Sequence, residues 1–218
     1  MKKSEELIKR IFIPNVIYEG ILTCYSIEKS PHAANMGFSF NDKFKLIIKP
    51  FKNTRTYEYV SKMKQAVINI FNDVKYFYEV NFGKINEKSF NLSRTLKIPK
   101  LKDSLFYLEC QLEEIEEDQI RPKLIMNIVN FVSKKTHLKP ITRAEFAVLE
   151  ALIHSTRVRV FKELNMQEEL ENLLSLVDYY ERLIKRVAPN TLYDNMMFEI
   201  DLKIQDELRY EKGKDKNT

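Results

Sequence analysis

Six short segments dense in β-branched and aromatic residues crowd into the first 132 positions, and their spacing constrains the fold more than any single motif does. Val16–Tyr25, His32–Phe40, Lys43–Lys49, Ala66–Phe71, Leu105–Ile115 and Pro122–Val132 each have the composition or the alternation of a strand. Glu28–Pro31 and Asn41-Asp42 supply turn chemistry between the first three, and Asn41-Asp42 is short enough for a hairpin. One helix is inserted, Thr56–Lys64, with Tyr57, Val60 and Met63 turned to one face. A second short helix is expected over Asp73–Asn81. Gly83–Ser104 is basic, aperiodic and interrupted by Pro99, so it reads as a long loop. About six mostly antiparallel strands in this order imply a closed or nearly closed barrel over residues 1–138.

The remaining third changes character. Thr142-Arg143-Ala144-Glu145 has the form of a capping box, and Phe146, Leu149, Leu152 and Ile153 continue it as an amphipathic helix to about Phe161. Leu170, Leu173, Leu174, Val177 and Ile184 mark a second helix, Pro189-Asn190 breaks it, and Leu192, Met196, Ile200, Ile204 and Leu208 mark a third. The expected class is therefore α+β: a barrel, a helical module over residues 139–212, and a disordered tail over 213–218.

Composition removes several function classes. With 218 residues and 44% hydrophobic content the chain can bury a proper core. No apolar run approaches the ~20 residues of a membrane span, and Met1–Arg10 is charged without a signal-peptide apolar core. A soluble cytoplasmic protein without a membrane partner is expected. Cys24 and Cys110 lie far apart in strand-like segments and read as buried structural thiols. The four isolated glycines exclude a P-loop and a GxGxxG fingerprint. His32, His137 and His154 lack metal-ligand spacing, so no metal is expected, and no GxSxG elbow occurs.

A net charge of +5 and a pI near 9.0 permit an anionic partner: a nucleotide cofactor, a phosphorylated metabolite or a nucleic acid. The excess sits largely in Lys84–Lys102 and Lys212–Lys216, where Phe90 is the single aromatic of the first segment. A stacking platform is poorly supported there, which argues against nucleic acid.

Two constellations carry chemistry. Lys49–Tyr57 leads an apolar strand into a helix start, where unpaired N–H groups and a partial positive charge suit a phosphate. Thr54, Arg55 and Thr56 would complete such a clasp; equally, Asn53 or Thr54 could serve as an ordinary cap with Arg55 in water. Further on, Arg143, Glu150, His154 and Arg157 fall on one side of a helix. They form either a solvated salt-bridged face or a polar wall able to hold an anion, with His154 the candidate for handling a proton.

Several segments, in order and spacing, resemble an uncharacterised, mainly archaeal flavoprotein family of the FMN-binding split-barrel superfamily, domain of unknown function 447. Ile17–Thr23 resembles the opening strand of that family. Ala34-Asn35-Met36-Gly37 matches its Ala-Pro-Met-Gly core, and Thr54-Arg55-Thr56-Tyr57 matches its Ser-Arg-Thr-Tyr run. Ala66–Asp73 matches a strand ending in Asn and Asp, and Arg143-Ala144 through Thr156-Arg157 matches the C-terminal signature. Asn35 departs from the family Pro, which implies a less rigid loop, whereas Thr54 in place of Ser keeps the hydroxyl. The resemblance implies FMN with its phosphate against Thr54, Arg55 and Thr56 and its ring along Ala33, Ala34, Asn35, Met36 and Gly37, with Asn69 beside it. It further implies a homodimer in which His154 and Arg157 complete either the flavin site or the subunit contact. The implied function is an FMN-dependent oxidoreductase taking electrons from a reduced nicotinamide or another small-molecule donor for an unknown acceptor. The alternative is a non-catalytic flavin-binding or electron-transfer partner.

Overall fold

A computed structural model describes residues 2–133 and 140–209. The chain divides into two compact units, Met1–Thr142 and Arg143–Thr218. The boundary expected after residue 138 and the tail expected from 213 lie outside the described residues.

The first unit contains, in chain order, α1 (Lys2–Ile11), β1 (Tyr18–Tyr25), β2 (Pro31–Phe40), β3 (Leu46–Ile48), α2 (Arg55–Met63), β4 (Gln65–Ile70), α3 (Val74–Asn81), β5 (Phe90–Leu92), β6 (Pro99–Leu101), β7 (Phe106–Glu116) and β8 (Lys123–Ser133). Six of these strands close into an antiparallel barrel in the order β1-β2-β3-β8-β7-β4, with β4 returning to pair with β1. Tyr18, Leu22, Cys24, Phe38, Phe40, Leu46, Ile68 and Met126 are among its buried side chains. Gly20 is needed where it stands, because a Cβ there would lie 3.0 Å from the Phe38 ring, 3.1 Å from an Ile68 methyl and 3.3 Å from the Asn69 carbonyl.

The charged N-terminal segment is a helix, which its composition hides. Only Ile8 and, just beyond α1, Phe12 are needed to anchor it, and both are buried. The Phe12 ring meets Tyr18, Phe38 and Phe106 edge-on at centroid distances of 5.0, 5.6 and 6.0 Å and lies tilted on Phe40 at 4.7 Å.

Gly83–Ser104 is not a structureless loop. It carries a 3-10 turn (Glu87–Ser89) and the β5–β6 hairpin, paired Phe90↔Leu101 to Leu92↔Pro99. Three-residue strands give too little alternation to be read from sequence, and two buried polar side chains hold them. The Asn69 amide donates to the Ile21 carbonyl and the Thr23 hydroxyl, both at 2.9 Å, and its oxygen accepts from the Leu101 N–H at 2.9 Å. The Glu109 carboxylate accepts from Ser93 Oγ at 2.8 Å, Thr95 N at 3.0 Å, Leu96 N at 2.6 Å and Asn130 Nδ2 at 2.9 Å. Both thiols are buried, and burial pushes Cys24 up to about 12 and Cys110 higher still.

The second unit is helical: α4 (Arg143–Ser155), α5 (Val158–Glu163), α6 (Gln167–Val187) and α7 (Leu192–Arg209). Its first helix ends earlier than the apolar pattern implies, at Ser155, where the Arg157 N–H closes a turn onto the His154 carbonyl at 2.9 Å. The buried side of α4 is also not the expected one. Ala144, Ala147, Val148, Ala151 and Ser155 are buried, whereas Phe146, Leu149, Leu152 and Ile153 are exposed. Small side chains let α4 and α6 approach closely, and a reading weighted toward large apolar residues selects the wrong face.

Burial alone would raise the Glu109 pKa, but the hydrogen bonds from Leu96, Asn130, Ser93 and Thr95 outweigh it and hold the carboxyl below its ordinary range. A depressed carboxylate contributes stability above its unfolded pKa of ~4.3 and loses it as pH falls through the folded value. Glu109→Gln, which turns an NH2 toward inward-pointing donors, should cost about 2–3 kcal/mol in urea unfolding at pH 7. The difference from the parent should shrink below about pH 4; an equal loss at both pH values would mean the charge contributes nothing.

Candidate functional site

The β3 strand ends at Ile48, two residues before Pro50, which has no N–H to offer on the side facing β8. From Phe38↔Ile48 the antiparallel register would set Pro50 opposite Met36. The short β3 leaves an open edge: β2 pairs with β1 over Pro31–Phe38, from Tyr18↔Phe38 to Tyr25↔Pro31, but with β3 only over Phe38–Phe40. Along Pro31–Gly37, the segment containing Ala33, Ala34, Asn35, Met36 and Gly37, the side away from β1 has no strand partner among the described residues. Its backbone groups are available to a ligand.

The chain leaving β3 is held in place before it becomes α2. The Arg121 guanidinium donates to the Lys49 carbonyl at 3.1 and 2.7 Å and lies over the Phe51 ring at 4.6 Å. Lys52 N donates to the Ile120 carbonyl at 2.9 Å. Thr54 is the N-cap: its hydroxyl donates to the Phe51 carbonyl at 2.7 Å and accepts from Tyr57 N at 3.3 Å. Of the two readings open to this segment, the cap is present, which leaves the Thr54 hydroxyl committed to its own helix.

Thr56 is buried, and its hydroxyl lies 2.9 Å from Nε2 of His32 at the start of β2. This bond brings the open strand edge and the helix start together. His32 also meets the Tyr59 ring edge-on at 5.1 Å. Burial, and then the nearby Arg55, hold the imidazole pKa below its ordinary value. In the neutral ring the tautomer decides the direction of the bond: a protonated Nε2 donates to Thr56 and frees the Thr56 proton for another acceptor.

A shallow groove of about 490 Å³ runs beside this helix start, lined by Lys52, Asn53, Arg55, Tyr57, Ser61 and Lys62 among others. Lys52 is engaged by Glu117 at 2.8 Å and Lys62 by Glu58 at 2.9 Å. Arg55 is exposed and makes no ion pair among the described residues. It and Lys62 help hold the Glu28 carboxyl below its usual range, after the larger effects of the Glu28 backbone amide and Ser26. The Ser61 hydroxyl is buried and has no hydrogen-bond partner among the described residues.

The remaining sequence candidates have commitments of their own. Both hydrogens of the Asn69 amide and its oxygen are engaged inside the barrel, so Asn69 shapes the β1–β4 wall and offers little to a ligand. Asn35 Nδ2 donates to the Phe77 carbonyl of α3 at 2.9 Å. His154 and Arg157 belong to the helical unit, where His154 stacks on Tyr180 at 6.0 Å and Arg157 precedes α5 beyond the end of α4. Of the four residues expected on one helix face, Arg143, Glu150 and His154 are on α4 and Arg157 lies in the turn between α4 and α5. His32 is not legible from the sequence, where it enters only as a candidate metal ligand; its place at the start of the strand that carries Ala33–Gly37 is the available signal. Among the described residues no group of three or more His, Cys, Asp or Glu side chains could hold a metal, and no helix is long and apolar enough to cross a membrane.

A six-stranded antiparallel barrel with an open β2 edge and a helical C-terminal unit is the split-barrel architecture. The chain is similar to the FMN-bound protein of Methanosarcina mazei described with DUF447, at 21% identity over 90% of this chain and 99% of that one, with a TM-score of 0.54. It is also similar to the styrene monooxygenase flavin reductase of Pseudomonas putida (12% identity, 61% and 86% covered, TM-score 0.47) and to an FMN-binding protein of Thermus thermophilus with bound cyclohexenone (12% identity, 54% and 70% covered, TM-score 0.46). No curated protein matches. The protein of unknown function (DUF447) N-terminal domain matches residues 18–135 and the protein of unknown function (DUF447) matches residues 142–191. The chain belongs to the DUF447 family.

The His32 pKa is lowered in the fold, so the imidazole contributes no penalty above its unfolded value of ~6.5 and costs stability as pH falls through the lower folded value. Histidine-selective NMR should show one resonance, lost in His32→Gln, titrating below the unfolded imidazole. If that resonance titrates at or above ~6.5, the packing against Thr56 and Tyr59 is not the solution state. Both thiols should resist alkylation in the native protein and react on unfolding.

Proposed function

We propose that this protein is an FMN-binding flavoprotein acting as an FMN-dependent oxidoreductase. The observation that carries the proposal is the juxtaposition, through the 2.9 Å His32–Thr56 contact, of an unpaired strand edge with a helix start flanked by an uncommitted arginine. The residues present suit the group. Arg55, with the amides at the start of α2, offers charge and donors to a phosphate. Thr56 can add a hydroxyl when His32 donates to it, and Thr54 contributes its cap. The free edge of Ala33–Gly37 offers alternating N–H and C=O groups to the polar rim of a flavin ring. The FMN-bound relative in the same family supports this choice among nucleotides.

FMN supplies two-electron redox chemistry when bound; this chain supplies binding and electrostatics. Arg55 places positive charge at the phosphate end. His32, held neutral, orients Thr56 without adding a second cation. Backbone donors along β2 set the polarity around the ring edge and thereby its electron affinity. Asn69 acts through the wall it holds. A non-catalytic electron-transfer role makes the same binding claims and differs in turnover alone: steady oxidation of NADH or NADPH with a soluble acceptor separates the two.

We further propose a homodimer in which the helical unit takes part. Phe146, Leu149, Leu152 and Ile153 expose a contiguous apolar stripe on α4, a surface more suited to a partner than to water. His154 and Arg157 lie at the end of that stripe and are proposed to complete the subunit contact or the flavin site.

The purified protein should show flavin absorption bands and release FMN. Arg55→Ala should weaken FMN roughly tenfold or more while leaving riboflavin, which lacks the phosphate, nearly unchanged; equal loss of both would remove Arg55 from the phosphate. In light scattering, Phe146→Glu with Leu149→Glu should convert the dimer to a monomer, and an unchanged mass would place the subunit contact elsewhere.

A further inference from the structure

At the opposite end of β2 from His32, the first unit contains a second concavity that the flavin reading does not use. Its volume is about 510 Å³, in the range of small-molecule sites. Ile8, Phe44 and Phe131 form apolar parts of its lining, Lys9, Lys43 and Lys45 supply ammonium groups, and no carboxylate is among its lining residues. Lys45 is already committed to Glu113 at 2.8 Å and to Asn127. Lys9 and Lys43 make no ion pair among the described residues, so two positive charges stand uncompensated beside an apolar floor.

The turn that builds one wall is strained. Asn41–Lys45 joins β2 to β3, with Asn41 Oδ1 accepting from Lys43 N at 3.1 Å and Lys45 N at 2.9 Å. The turn requires a left-handed residue, and it is Phe44, at φ 55°. Glycine or asparagine is the ordinary occupant of such a position, and a bulky side chain there is an outlier. The ring is partly buried against Phe40, with centroids 6.1 Å apart, and the Lys9 ammonium lies over it at 5.3 Å. A residue whose backbone opposes the turn, yet whose ring walls a cationic hollow, is better accounted for by the hollow than by the turn.

We propose that this concavity is a second binding site, for a small organic anion with an apolar body, of the medium-chain or aryl monocarboxylate class. The apolar body lies against Phe44 and Phe131, and the carboxylate meets Lys9 and Lys43. The pairing is selective in both halves: a free inorganic anion gains nothing from the phenyl walls, and a neutral analogue leaves the two ammonium groups unpaired. The site does not depend on the flavin assignment.

The test is calorimetric titration of octanoate into the full 218-residue chain, with and without saturating FMN. One octanoate per chain is expected, unaffected by FMN, weakening with added salt and roughly fivefold or more weaker in the Lys9→Ala/Lys43→Ala double variant. Phe44→Asn is the separating variant: asparagine tolerates the left-handed position without glycine's added unfolded-state entropy, so the thermal midpoint should stay within about a few degrees while octanoate binding falls. Four results overturn the proposal: no binding at millimolar octanoate; octanamide binding as tightly as octanoate; affinity untouched by both variants; or competition with FMN, which would place the carboxylate in the flavin site.

Discussion

The early end of β3 is the constraint on which the candidate site depends. Had β3 continued along β2, the Ala33–Gly37 edge would have been closed by a neighbour. Because the ladder stops at Ile48, β2 keeps half of its hydrogen-bonding capacity over Pro31–Gly37, and the departing chain is delivered into the N-terminus of α2. One short strand thus produces both halves of the site. Arg121, donating to the Lys49 carbonyl and lying over Phe51, then fixes the direction in which the chain leaves.

Opening an edge weakens a barrel, and two buried polar side chains offset it on the β1–β4–β7 wall. Asn69 crosslinks β1 to β6, and Glu109 gathers Ser93, Thr95, Leu96 and Asn130 around one carboxylate. Neither interaction is strong merely by being a hydrogen bond, since folding exchanges it against water. Their weight comes from burial: removing either side chain strands several partners without solvent. The β5–β6 hairpin, with three residues per strand, is too short to persist alone and depends on both.

The six barrel strands were legible because alternation and β-branched composition act locally, and each was located within a few residues. Where the sequence misled, the deciding interaction was nonlocal. β5 and β6 are held by Asn69 and Glu109, which are distant in sequence. α1 owes its place to Ile8 and Phe12, two anchors within a charged stretch. On α4, alanines rather than large apolar residues face the interior, a choice made by how closely α6 approaches. In the candidate site, Thr54 and Arg55 were legible as a helix start, because capping is local chemistry. The His32–Thr56 contact was not, since it joins two elements separated by 24 positions.

Asn35 illustrates how a local rule and its tertiary outcome diverge. Where the family pattern has proline, asparagine removes the fixed φ, and the local expectation is a looser strand edge. In the fold the asparagine side chain reaches out to the Phe77 carbonyl and fastens β2 to α3, while Ala33, Tyr76, Phe77 and Val80 all pack against the cluster of Ile21, Phe71 and Leu101. Rigidity that proline would supply through its own ring is supplied here through contact with a helix. The difference has a physical consequence: a proline edge is stiff even when isolated, whereas this one is only as rigid as the α3 docking that holds it. Order at the proposed flavin edge is therefore coupled to a helix of eight residues whose Val74 and Tyr78, together with the Phe82 that follows it, are exposed.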